Sequence, residues 1–128
     1  MGLHVTAIML GVKDVARPRK FYADGLLCAI NQDYANFVSL NLGEHSSSLA
    51  LYDWDAAAQD AGVSPEGSGF RGFSLHYIVE SRDEVDHTIA RAAVAGGTEV
   101  KAAAGAGWGG YVGYFSGPDG YLWKVAAN

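Results

Sequence analysis

A chain of 128 residues, 49% of them hydrophobic, has room for one domain or two half-size modules and is too apolar for disorder. Its net charge is −5 and its nine basic residues are scattered rather than striped, which argues against a nucleic-acid or anionic-lipid footprint. A single cysteine, Cys28, excludes an internal disulfide, and the longest apolar run is far too short to span a membrane.

The first stretch, MGLHVTAIMLGVKD, has neither the basic start nor the small-residue cleavage site of a signal peptide, so a cytoplasmic protein is expected. Residues 4–12 alternate in the strand sense: Thr6, Ile8, Leu10 and Val12 point one way, and Val5, Ala7, Met9 and Gly11 the other. Asp14 is a plausible N-cap for a short helix over VARPRKFYADG, which tolerates Pro18 only in its first turn and ends at Gly25. Three strand-like segments follow, CAINQDY, NFVSLNLG and SSLALYD, parted by polar or glycine-containing turns. The stretch WDAAAQDAGVSPEGSG reads as a linker whose Ala-rich start forms one or two helical turns before Gly62 stops it.

From Phe70 the order repeats. FSLHYIVE reads as a strand, and Ser81 with Glu84 forms a capping box for a helix that carries Val85, Ile89 and Ala92 at core spacing and closes at Gly96-Gly97. TEVKAA, YVGYFS and YLWKVAA are the last three strands, with a Gly-rich GAGWGG before the second and a Pro118-Asp119-Gly120 turn before the third. Module one thus covers about 1–54, the linker about 55–69 and module two about 70–128. The expected fold is α+β: two tandem βαβββ modules, each with a helix on the back of its sheet, joined around a shared concave sheet cleft.

Two patterns, LGVKDVARPRKFYADGL near the start and GGYVGYFSGPDGYLWKVAAN at the end, carry a resemblance to a known family. The whole chain resembles the vicinal oxygen chelate superfamily, which includes glyoxalase I, bleomycin-resistance proteins and extradiol dioxygenases. The resemblance implies the fold more than an activity, because that family hosts lyases, isomerases, dioxygenases, thiol transferases and proteins that only bind a drug. In its metal-dependent members the ligands come from the first and last strand of each module. Those four places fall here on Ala7, Ala50, Ser74 and Lys124. Two methyls, a hydroxyl and an ammonium do not supply the His nitrogens or carboxylate oxygens that a divalent cation needs, so no metal and no other cofactor is expected.

Strand parity puts Met9, Ala50 and Tyr52 toward the concavity, with Phe37 and Ser39, and in the second module Ser74, His76, Leu122 and Lys124. Trp54, Trp108, Tyr111 and Phe115 are expected near the open ends or rims, Trp108 on a Gly-rich flap. Of the four histidines, His4 opens the first strand at opposite parity to the ligand place, while His45 and His87 are expected in solvent. His76 and Lys124 are the candidate catalytic residues, one able to exchange protons, the other to hold an anionic or carbonyl-bearing ligand or to act as a base.

Two functions remain open on these residues. One is a metal-free binding protein for an aromatic or amphipathic small molecule. The other is a lyase, isomerase or cyclase working through His76 and Lys124, or through an unconventional divalent metal site. The resemblance further implies a homodimer; no nucleic acid and no membrane are expected as partners.

Overall fold

The computed structural model describes residues 5–67, 71, 73–107 and 109–128. Contacts divide the chain into two compact units, Met1–Glu66 and Gly67–Asn128.

In the first unit, strands β1 (Ala7–Val12), β2 (Ala29–Tyr34), β3 (Phe37–Asn41) and β4 (Ser48–Asp53) form a sheet of order β1-β4-β3-β2. β1 runs parallel to β4, whereas β3 is antiparallel to both of its neighbours. One face of this sheet collects Leu10, Val12, Val38, Leu40, Leu49 and Leu51, all buried. Each contributes about 1.5–3 kcal/mol by leaving water. The helix α1 (Ala16–Lys20) and the π-helical turn Phe21–Gly25 supply Pro18, Phe21 and Tyr22 to the buried set. Arg19 of α1 donates two hydrogen bonds to the Asp33 carboxylate on β2, at 2.9 and 2.6 Å, fixing the helix on that side of the sheet. These bonds hold the Asp33 carboxyl below its ordinary pKa.

Asp14, expected as the N-cap, lies one residue before the cap position, which Val15 occupies. Its carboxylate still accepts from the Ala16 amide at 3.1 Å. The Ala-rich segment is helix α2 (Trp54–Ala61), where the Asp53 carboxylate accepts from Ala56 N at the start and Gly62, at φ 75°, ends the helix. A left-handed residue at that place is what glycine permits without strain.

The second unit repeats the plan. Strands β5 (Leu75–Ile78), β6 (Thr98–Gly105), β7 (Tyr111–Ser116) and β8 (Leu122–Ala127) take the order β5-β8-β7-β6, again with the first and last strands parallel. Helix α3 (Arg82–Val94) begins where Ser81 Oγ accepts from Glu84 N at 3.1 Å, and it buries Val85, Ile89 and Ala92 as its spacing predicts. It approaches β7 closely at Gly113, where an added Cβ would stand 2.4 Å from Ile89 Cδ1 and 3.1 Å from the Ala103 backbone. Pro118-Asp119-Gly120 forms the predicted turn, closed by Gly120 N donating to Gly117 O at 3.0 Å. Among the described residues, no helix is long and apolar enough to cross a membrane.

The two tandem βαβββ modules expected from the repeat are therefore present, with identical strand orders. Register sharpens the correspondence. Met9 pairs with Ala50 and Ala50 with Ser39 in the first sheet, and the equivalent places in the second hold His76, Lys124 and Tyr114.

Candidate functional site

Each sheet has one face toward its helices and one open face. In the second unit the open face is built by the even-numbered residues of β5, β7 and β8. Phe115 and Gly113, of odd number, turn to α3, so their neighbours Tyr114 and Val112 turn away from it. Cross-strand register then gives one row, His76–Lys124–Tyr114–Lys101. A second row, Ile78–Ala126–Val112–Ala104, lies beside it and is wholly apolar.

Neighbouring strands are about 4.8 Å apart, so each row spans roughly 14 Å. That is the length of a small organic molecule.

Ser74 Oγ lies 3.0 Å from His76 Nε2, a hydrogen bond that orients the imidazole. Lys124 is half-buried, and neither it nor Lys101 has an ion pair or hydrogen bond among the described residues. Leu122 is partly exposed in register with Ser116. Parity in the sequence therefore places Ser74, His76, Leu122 and Lys124 together. It misses Tyr114 and Lys101. The signal for Tyr114 is its place directly between Gly113 and Phe115, which alternation puts on the opposite face; Lys101 has no such signal, because β6 carries an irregularity between Glu99 and Lys101.

The open face of the first unit carries the rows Met9–Ala50–Ser39–Gln32 and Gly11–Tyr52–Phe37–Tyr34. Phe37 meets Tyr52 edge to face, with centroids 5.6 Å apart, and Met9 is 47% exposed. Ser39 is buried, and its hydroxyl accepts from Gln32 N at 3.1 Å and donates to Gln32 Oε1 at 3.4 Å, stitching an irregularity of β2. Its bonding capacity is already used inside the sheet. Trp54 is likewise engaged. Its indole NH donates to Pro65 O, its ring lies over Gly11, and Lys13 Nζ stands 4.7 Å from the ring centroid.

Two aromatics expected at the rims are elsewhere. Phe115 is 2% exposed and stacks on Trp123 at 5.9 Å on the side of the sheet that faces α3, so it is core. Its odd position in β7 puts it beside Gly113, under the helix. Tyr111 donates from its hydroxyl to Asp86 Oδ1 of α3 at 2.7 Å, with Arg82 over its ring at 5.1 Å. That bond to Asp86 raises the phenol above its ordinary pKa, and the residue ties α3 to β7. Trp108 and His4 lie outside the described residues. His45 and His87 are exposed, as expected, with His87 Nε2 3.4 Å from Arg91 Nη2 on α3. Cys28 is half-buried, and burial pushes its thiol up, which disfavours the thiolate needed for reactivity.

The four places that the resemblance assigns to metal ligands hold a donor set unsuited to a divalent metal. Ala7 and Ala50 supply methyls, the Ser74 hydroxyl is bonded to His76, and Lys124 offers a cation. Among the described residues, no three His, Cys, Asp or Glu side chains are grouped so as to hold a metal ion.

Comparison with known proteins supplies the last observation. The model of the Glyoxalase/Bleomycin resistance protein/Dioxygenase superfamily matches residues 3–125. A glyoxalase-related enzyme from Fulvimarina pelagi is 27% identical with a TM-score of 0.88, over 98% of this chain and 88% of that one. A glyoxalase/bleomycin resistance protein/dioxygenase family enzyme from Burkholderia phytofirmans is 18% identical with a TM-score of 0.83, over 95% and 96% of the two chains. A lactoylglutathione lyase from Agrobacterium tumefaciens is 16% identical with a TM-score of 0.70, over 98% and 93%. A search of curated proteins finds no match.

Proposed function

The chain belongs to the Glyoxalase/Bleomycin resistance protein/Dioxygenase superfamily, and from that premise we propose that it is a small-molecule-binding protein that holds an aromatic or amphipathic ligand without a metal. The observation that carries this reading is the pairing of two rows on one open sheet face. Polar His76, Lys124, Tyr114 and Lys101 lie beside apolar Ile78, Ala126, Val112 and Ala104. A molecule with one polar end and one apolar body satisfies both rows at once. The methyl, hydroxyl and ammonium groups at the ligand places support the metal-free part. Met9, Phe37 and Tyr52 give the first unit's open face an aromatic character of its own.

The experiment is a backbone NMR titration of chelator-treated protein with a panel of planar aromatic acids, amides and alcohols. Saturable shifts concentrated in β5, β7 and β8 are expected with at least one compound. Shifts confined to other elements, or none with any compound, would remove the reading.

A second reading is favoured by the Ser74–His76 hydrogen bond. An imidazole oriented by a hydroxyl, next to an ammonium in register on the adjoining strand, is an arrangement that can move a proton on a bound carbonyl compound. The protein would then be a lyase, isomerase or cyclase, with His76 exchanging the proton and Lys124 holding the developing oxyanion.

A further inference from the structure

We infer that the ligand of the second unit's open face is a small organic anion, a carboxylate or phosphate, whose charged end sits between Lys124 and Lys101. The inference rests on the binding reading above and names the chemical class of its ligand. Its first support is the sign of the face. The chain as a whole carries −5, yet the described open-face rows of this sheet contain two lysines and a histidine and no carboxylate.

The acidic residues of the second unit are all placed elsewhere. Asp83, Glu84 and Asp86 are on α3, Glu80 precedes it, Asp119 is in the β7–β8 turn, and Glu99 pairs with Phe115, whose side chain is core. Among the described residues, no carboxylate of the unit forms an ion pair with Lys124 or Lys101.

The second support is burial. Lys124 is half-buried on the second strand of the sheet and has no partner among the described residues. An ammonium withdrawn from water without an anion is unfavourable, and a bound anion removes that cost.

The third is geometry. In the row His76–Lys124–Tyr114–Lys101, the Tyr114 position separates the two lysines, and adjacent strands are about 4.8 Å apart. The lysine backbones are thus roughly 10 Å apart, and their flexible stems can converge on one group over the tyrosine. The Tyr114 hydroxyl and an imidazole NH of His76 add further hydrogen-bond donors along the same line. The irregularity in β6 brings Lys101 into this row: counted from Thr98, which pairs with Ser116 on the open face, plain alternation would send Lys101 to the helix side.

A matched probe pair separates charge from shape. Calorimetric titration with 2-naphthoate and with its neutral isostere 2-naphthamide keeps size and aromatic surface constant while changing one charge. Naphthoate is expected to bind about tenfold more tightly, and Lys124→Gln should bring the ratio of the two affinities toward one, with circular dichroism and thermal unfolding like the parent's reporting that the variant is folded. Lys101→Gln should reduce the advantage independently, and added salt should weaken naphthoate alone.

Equal binding of the two probes, or a preference for naphthoate that survives in both lysine variants, overturns the inference and leaves the binding reading standing. Failure of both probes to bind overturns the inference, and the binding reading falls with it when the aromatic panel also gives no saturable shifts.

Discussion

Lys124 and His76 face each other across parallel strands, and their side chains meet no acid among the described residues. Lysine interrupting an apolar C-terminal strand is legible as a departure from the ligand pattern that the resemblance implies, and parity puts it on the same face as His76; that the two stand side by side follows only from register. Other residues were less legible. Parity puts Ser39 on the open face, but the structure buries it, and its hydroxyl is engaged by Gln32 at the irregularity of β2. Phe115 was read to a rim because large aromatics near a Gly-rich loop look exposed. In the structure its neighbour Gly113 leaves the room that lets α3 come close, and the ring is covered. The two functional readings diverge at this scale. If His76 exchanges a proton in turnover, His76→Ala should lower kcat by about 100-fold or more on a substrate identified by screening, with a smaller effect on KM. Full turnover in both His76→Ala and Lys124→Ala would eliminate the acid-base role of these two residues.

At the scale of elements, the legible features were those with local chemistry. Ser81 and Glu84 marked the start of α3, Gly62 the end of α2, and Pro118-Asp119-Gly120 the turn into β8; the structure has all three. Strand register was not legible, because it is set by partners distant in sequence and altered by single extra residues. The composition of the row containing Lys101 followed only from register. The packing of α3 on β7 makes a separate prediction. Gly113→Ala should destabilise the protein by about 1–3 kcal/mol, since its Cβ meets both Ile89 and the Ala103 backbone. Ile89→Val removes the Cδ1 atom, so the double variant should recover part of that loss in chemical denaturation. A Gly113→Ala protein as stable as the parent would mean that α3 does not approach β7 so closely.

For the whole molecule, the internal repeat was the strongest signal in the sequence, and both units have the same strand order. What the repeat does not preserve is chemistry. Equivalent places hold Met9, Ala50 and Ser39 in one unit and His76, Lys124 and Tyr114 in the other, so one plan supports an apolar open face and a cationic one. Metal-dependent members of the superfamily would carry ligands at the places that the resemblance puts on Ala7, Ala50, Ser74 and Lys124, and these residues do not suit a divalent cation. The most direct test is a calorimetric titration of Zn²⁺ and Ni²⁺ into chelator-treated protein, with bound metal quantified after dialysis. The account predicts no stoichiometric uptake of either ion. Near-stoichiometric, tightly retained metal would contradict it.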